Sequence, residues 1–499
     1  MRYEFELATC AVAMLLSHTG CAPRSGGDHH DGSSWADVCS DVRDARPDDE
    51  RLDTVSWPRD STLDTSSDSR ATTDSAGGEG GVPGSPCIEL GCSVLLTLTG
   101  EAGGDYFGWV SADIGDVDND GAHDFVVGAP FNAVGGRSAG RAYVYSGKTG
   151  AQLFLGTGEN RSLLGFSVSN AGDVDGDGVN DVITGGPQAG LQAAGAGPGL
   201  ARIYSGKTGA HIRTLIGEKV DDAFGFSVWT VSDINKDGRG DVIVGAPGSD
   251  SNGDKSGRAY VFSGATGATL LTFNGEAAGD LFGTAVAGLG DLDNDGFPDV
   301  AVGARNAGPS QRGRIYVYSG STGNVIRQFD PHSTGAELGG FFVSSAGDVD
   351  KDGVGDIYAG DYGDTPDDAG TTGGHAYVWS GKTGAILHDL AAQTPAEGFG
   401  IGRGAAGDVD NDGYGDLVIG AYTNSSAAPQ AGRTYLFSGR TGVVLRTMTS
   451  SIAGEGSGYD AVGIGDVNGD GALDFLITAA THPEKGANTG RTYVIAGKP

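Results

Sequence analysis

The chain has 499 residues, 91 of them glycine, and 65 acidic against 32 basic side chains give a net charge of −33. That balance argues against nucleic acid or an anionic membrane surface as a partner. The glycines follow no collagen period and sit in turns between short apolar runs, which points to an all-β protein.

At the N-terminus, residues 7–16 read LATCAVAMLL, an apolar core too short to span a bilayer, and LLSHTGC follows with Cys21 after Gly20. This resembles a bacterial lipoprotein signal, with residues 1–20 as signal peptide and Cys21 as the lipidated residue. His18 stands where such signals usually carry Leu, and MRYEFE holds one Arg against two Glu. The resemblance implies export to the cell surface or outer membrane, with the lipid anchor as the only membrane contact. Plain secretion is the alternative. Cys87 and Cys92 are close enough in sequence to close a small disulfide, and Cys39 is left over.

Residues 22–86 are a different material. Only eight of these 65 residues are Val, Leu or Trp, and none is Ile, Met, Phe or Tyr, while 14 are acidic and six are Arg. Such a segment cannot bury enough apolar surface to offset its ordering entropy, so a disordered tether is expected. As a flexible coil it would span about 45 Å.

From residue 87 onward one phrase organises the chain: D-x-[DN]-x-D-G-x-x-D followed by an apolar run, seven times, at intervals of 57 to 60 residues. The first copy places Asp116, Asp118, Asp120 and Asp124 at loop positions one, three, five and nine, and the second Asp173, Asp175, Asp177 and Asp181. The third uses Asp233, Asn235, Asp237 and Asp241; the fourth Asp291, Asp293, Asp295 and Asp299; the fifth Asp348, Asp350, Asp352 and Asp356. The sixth has Asp408, Asp410, Asp412 and Asp416, and the seventh Asp466, Asn468, Asp470 and Asp474.

These side chains offer only oxygen, and the glycine at position six permits the sharp turn that gathers them, which is the donor set of a calcium loop. Magnesium demands stricter octahedral geometry and zinc would want His or Cys, so up to seven Ca2+ ions are the expected cofactors. An EF-hand is excluded at its twelfth position, where a bidentate Glu belongs. Here that place falls on Val127, Thr184, Val244, Val302, Ala359, Ile419 and Ile477. The loops hold 26 of the 65 acidic residues, and seven calcium ions would bring the net charge from −33 to −19.

Each repeat has the same internal order: a strand, the calcium loop, a second strand such as DVIVGAP, a variable loop, a third strand such as GRAYVFSG, a TG turn, and a fourth strand. Four short strands joined by turns make an antiparallel sheet that cannot cover both faces alone. Stacking seven copies around an axis predicts a seven-bladed β-propeller over residues 87–499. The last repeat stops after its third strand, whereas the first is preceded by VLLTLTGE, which matches the fourth strands. Residues 94–99 are therefore expected to pair with residues 492–496, closing the ring by adding the N-terminal strand to the last blade and removing an open edge. Alternation puts the calcium loops and TG turns on one face. The variable loops, such as 188–200 and 361–374, fall on the other, and variable loops read as binding.

These repeats resemble the FG-GAP repeats of the integrin α-subunit propeller. The FG element is intact at Phe107-Gly108, Phe224-Gly225, Phe282-Gly283 and Phe399-Gly400; elsewhere Leu164, Gly339 and Ser457 replace Phe. GAP is intact at Gly128-Ala129-Pro130 and Gly245-Ala246-Pro247 and drifts in the other repeats. The resemblance implies calcium in some blades, a partner-binding face and an adhesive role, with a protein or glycan as ligand. Arg239-Gly240-Asp241 spells a tripeptide many integrins recognise, but it occupies loop positions seven to nine, where Asp241 is expected to serve the loop.

Two other classes compete: a carbohydrate-active or phospholipid-cleaving propeller enzyme, and a structural envelope protein. An enzyme should show an unrepeated acid–base or nucleophile cluster in one blade. His123, His211, His332, His375, His388 and His482 share no repeat position and no partner spacing, and are read as surface or loop residues; no catalytic residue is assigned. Tyr143, Tyr260, Tyr316, Tyr377, Tyr435 and Tyr493 recur at one place in strand three and are read as core.

Overall fold

A computed structural model describes residues 84–90, 92–188, 197–333, 335–364 and 373–498. Residues 1–20, read above as a signal peptide, Cys21, Cys39 and nearly all of the segment read as a tether lie outside the described residues, as do parts of the variable loops 188–200 and 361–374.

The molecule is all-β, a seven-bladed propeller of four-stranded antiparallel sheets. Blade one comprises Ser111–Gly115, Asp124–Ala129, Arg141–Tyr145 and Gln152–Thr157, in that order from the axis outward. Blades two to six repeat it, and the first strands of all seven blades touch their neighbours in a closed cycle. Burial explains the hydropathy pattern. A second strand such as Asp124–Ala129 is covered on both faces and reads as a continuous apolar run, whereas a fourth strand such as Gln152–Thr157 lies at the rim, half exposed.

The seventh blade is assembled from both ends of the repeat region. Its inner strands are Ala461–Gly463, Phe475–Ala479 and Arg491–Ile495, and its outer strand is Val94–Thr99. Val94 lies opposite Ile495 and Thr99 opposite Arg491, so the pairing runs over 491–495, one residue earlier than expected. Gly100 N donates to Gly490 O at 3.1 Å and Ala496 N to Ser93 O at 2.8 Å, extending the seam at both ends. Leu95, Leu96 and Leu98 pack on a cluster that includes Phe107, Phe125 and Tyr143 of blade one, so this strand joins the last blade to the first.

The residues just before that strand are also tied down. Cys87 and Cys92 are disulfide-bonded. Ile88 N donates to Thr449 O at 3.0 Å, Ser451 N to Ser85 O at 3.0 Å, and Thr449 N to Glu89 Oε2 at 2.7 Å. Thr449 ends the outer strand of blade six, Val444–Thr449. The tether's last residues, 84–86, therefore run along that blade.

The two glycine motifs have a common cause. A Cβ on Gly128 would lie 2.0 Å from the carbonyl oxygen of Gly165, and one on Gly165, at φ +87°, would lie 2.1 Å from that of Arg141. Adjacent blades thus meet backbone to backbone where GAP of one faces FG of the next. The Phe of FG packs edge-on against the strand-three tyrosine of its own blade, as Phe107 does on Tyr143 at 5.5 Å and Phe282 on Tyr316 at 5.5 Å. All six repeated tyrosines are buried.

One side chain crosses the axis. Arg403 of blade six is buried; it donates to Val168 O of blade two at 2.6 Å, lies over the Trp229 ring of blade three at 4.5 Å, and its Nε is 3.7 Å from Asp460 Oδ2 of blade seven.

Candidate metal centres

Each Asp loop is a tight coil stitched by its own carboxylates. In the first, Asp116 Oδ1 accepts from Asp120 N at 3.0 Å and Asp116 Oδ2 from Gly121 N at 2.9 Å. Asp118 Oδ1 also accepts from Asp120 N at 3.1 Å, and Asp120 Oδ1 from Ala122 N at 3.0 Å. Two left-handed residues make the coil possible. One is the position-six glycine, Gly121 at φ 91°. The other is position four, filled by Asn119, Gly176, Lys236, Asn294, Lys351, Asn411 and Gly469, all with positive φ. That fourth position is a signal the repeat pattern carries and the sequence reading passed over: Asn or Gly in five of seven loops.

The ninth residue has a different post. Asp124, Asp181, Asp241, Asp299, Asp356, Asp416 and Asp474 are all inaccessible to solvent. Asp124 Oδ2 accepts from Val117 N at 2.8 Å and Asp118 N at 3.2 Å, while its Oδ1 accepts from Gly147 N of the TG turn at 3.1 Å. The same triple anchoring recurs at Asp181, with Val174, Asp175 and Gly206, and at Asp356, with Val349, Asp350 and Gly381. The Asp loop and the TG turn of blades one to six are thus one unit on one face, as alternation predicts. Burial pushes the carboxyls of Asp124, Asp181, Asp241, Asp299 and Asp356 up to about 6; backbone N–H groups oppose this and the neighbouring carboxylates add to it. A cation in the loop would relieve both the desolvation and the repulsion.

Convergence is not uniform. Carboxylate oxygens of positions one, three and nine come together in Asp116, Asp118 and Asp124; Asp173, Asp175 and Asp181; Asp348, Asp350 and Asp356; and Asp408, Asp410 and Asp416. In the fourth loop the convergent set is Asp291, Asp293 and Asp295, at positions one, three and five. The third and seventh loops carry Asn235 and Asn468 at position three and so lack a carboxylate at that position. Position five otherwise faces the TG turn: Lys207 lies 3.8 Å from Asp177 and Lys382 3.9 Å from Asp352. An all-oxygen set of three close carboxylates fits a hard dication.

Asp241 of the Arg-Gly-Asp tripeptide is buried, and it accepts from Ile234 N at 3.0 Å and Gly264 N at 2.9 Å, so its carboxylate belongs to the loop. One sequence expectation changes in detail, that for the histidines. They are not all surface residues: His375 and His482 are buried. His375 opens the third strand of blade five, where the ladder places it inside the sheet, and His482 packs behind Glu455 at 3.6 Å.

Among known proteins, the FG-GAP repeat family matches residues 108–145, 224–262, 282–318 and 402–437. These are blades one, three, four and six, the four in which the Phe of FG is intact. Integrin alpha-V of Gallus gallus is 35% identical over 216 residues, covering 40% of this chain and 20% of its own length. Integrin alpha-IIb of Homo sapiens is 36% identical over 215 residues with the same shares, and integrin alpha-8 of Mus musculus 30% identical over 217. The chain spans about a fifth of the length of these curated relatives.

Proposed function

The chain carries FG-GAP repeats in a propeller like that of integrin α-subunits, and from that premise we propose that it is a calcium-stabilised interaction module of an exported protein. The observation that carries the calcium reading is the convergence of three carboxylates in five of the repeated loops, at positions one, three and nine in four of them and one, three and five in the fourth loop. Asp116, Asp118 and Asp124, and their counterparts, would hold the ion, and the bound cation would supply positive charge where the chain concentrates negative charge. The ion's role here is architectural: it locks the loop that the ninth Asp already ties to the TG turn, leaving the opposite face to the variable loops. That face is the proposed contact surface for a protein or glycan. Cys21 is the proposed lipid attachment point, which would set the propeller at the cell surface.

The test is a calcium titration of the purified full chain, following melting temperature and counting bound ions after chelation and dialysis. A ligand bound only by the folded state raises its stability, by about 2.7 kcal/mol for each site at a hundredfold excess over Kd. At least five ions per chain and a large upward shift in melting temperature are expected. No bound calcium and no shift would sink the metal assignment and leave the contact-surface reading without its scaffold. With calcium bound, a protein and glycan screen against the full chain then addresses the ligand.

A further inference from the structure

A cavity of about 320 Å3 lies on the axis, at the Asp-loop end of the inner strands. That is the small end of the range for ligand pockets, which begins at about 300 Å3. The residue three places before the first Asp of each loop supplies much of its wall. Sevenfold repetition would make that ring uniform, and it is not. Blades one, two, three and five hold Asp113, Asn170, Thr230 and Ser345 there, whereas blades four, six and seven hold Gly288, Ala405 and Gly463. All but Gly288 line the cavity. Two residues earlier, where four blades carry Val168, Val228, Val286 and Val343, blade six carries Arg403, which lines the cavity's inner end.

Turn capping accounts for half of this chemistry. Asp113 Oδ1, Asn170 Oδ1, Thr230 Oγ1 and Ser345 Oγ each accept from the N–H two residues on, at 3.2, 2.6, 3.3 and 3.3 Å. The turn does not need them. The residue just before the first Asp has positive φ, 57° to 81°, in all seven blades, including the three with no side-chain acceptor. Capping also occupies the acceptors and leaves the donors: Asn170 Nδ2 and the hydroxyl hydrogens of Thr230 and Ser345 have no acceptor among the described residues. The Ser169 hydroxyl has none either, although Ser169 is 3% exposed and lines the same cavity. Arg403 Nε makes no hydrogen bond, and Asp460 balances its charge only from 3.7 Å. Asp113, the carboxylate in the wall, is already engaged by His123 Nδ1 at 3.0 Å. Uncommitted donors gathered beside a guanidinium call for a ligand rich in acceptors and carrying a carboxylate.

We propose that this axial cavity binds a hydroxylated carboxylate the size of one sugar ring, a uronic acid, with its carboxylate toward Arg403 and its hydroxyl oxygens accepting from Ser169, Asn170, Thr230 and Ser345. The site lies on the face opposite the proposed contact surface, and no Asp of the repeated loops is among its ligand-binding groups.

The test titrates the full chain, with calcium present throughout, against D-glucuronate, D-galacturonate and D-mannuronate by calorimetry and saturation-transfer NMR. The matching neutral hexoses, which carry a primary alcohol in place of the carboxylate, are run beside them. One saturable site is expected for at least one uronate, at least tenfold tighter than for its hexose. Asn170→Asp keeps the turn acceptor, at a place where blade one already tolerates Asp113, but replaces a donor with a like charge; it should weaken the uronate at least tenfold. Ser169→Ala and Thr230→Val each remove one donor and should weaken it about twofold to tenfold. Ser169 makes no side-chain hydrogen bond, so its variant should melt as the parent does and bind as many calcium ions. Absence of saturable binding for all three uronates, or hexoses bound as tightly, would overturn the proposal. So would binding that survives both Asn170→Asp and Ser169→Ala, the result expected of a uronate held by a calcium ion in an Asp loop. The ion count in the calcium titration decides the metal reading separately.

Discussion

Truncating the closing strand at Leu96 and Leu98 should loosen the ring at one seam. Both side chains are partly buried against the blade-one cluster, and the Leu96 methyls lie 3.2 and 3.5 Å from where a Cβ on Gly150 would stand, in the TG turn of blade one. A fully buried Leu→Ala change costs about 2–5 kcal/mol, so a half-buried one should cost about 1–2. The two share a cluster and will not add perfectly, which places the Leu96→Ala/Leu98→Ala pair at about 3 kcal/mol. Guanidinium unfolding followed by tyrosine and tryptophan fluorescence measures the loss, and native-state hydrogen exchange locates it. Amides of Arg491–Ile495 and Val94–Thr99 should exchange faster while those of Arg258–Phe262, in blade three, stay protected. Ile216→Ala, at a 66% exposed rim position of blade two, is the control and should be silent. Unchanged stability in the double variant, or a loss spread evenly over all blades, would refute the idea that this strand clasps the ring.

Asn235→Asp places a carboxylate at position three of the third loop, a fourth beside Asp233, Asp237 and Asp241, and should add one ion to the tightly bound class in a calcium titration, since ligand charge tunes affinity at such sites. Breaking the axial pair with Arg403→Ala should cost about 3–5 kcal/mol by leaving Asp460 buried and uncompensated, and Arg403→Ala/Asp460→Ala should recover part of it on the same denaturation assay. Burial pushes the carboxyl of Glu455 up to about 7, while Ser450 and Tyr493, whose OH donates at 3.0 Å, pull it back. A carboxyl raised in the folded state binds its proton more tightly there, so its contribution to stability is full below about pH 4.5 and falls as pH rises to 7. Glu455→Gln should remove that slope and gain up to about 3 kcal/mol relative to the parent at pH 8, read from denaturation midpoints across pH.

The repeat carried most of the architecture into plain view. A D-x-[DN]-x-D-G-x-x-D phrase returning every 57–60 residues sets blade number, strand order and loop face, and the unmatched VLLTLTGE names the closing strand to within one residue. Local chemistry also made the loops legible, because the hydrogen bonds within each loop join residues at most seven apart. What stayed hidden depends on long-range placement. Arg403 of blade six and Asp460 of blade seven meet at the axis although they lie more than fifty residues apart in the sequence. The division of labour within a loop was equally invisible: the ninth Asp looks like its three partners in sequence, yet it alone is buried under the TG turn.

The lashing of residues 84–90 to blade six has a mechanical consequence. A pull on the chain from the side of residue 83 does not reach Val94–Thr99 first. It meets the contacts of Ser85, Ile88 and Glu89 with Thr449 and Ser451, then the short disulfide-bonded turn between Cys87 and Cys92. Tension would be spent shearing that segment from the rim of one blade before it could peel the outer strand of the next. The segment acts as strain relief does on a cable, and a propeller held by its N-terminal side would stay closed under loads that a bare clasp would not survive.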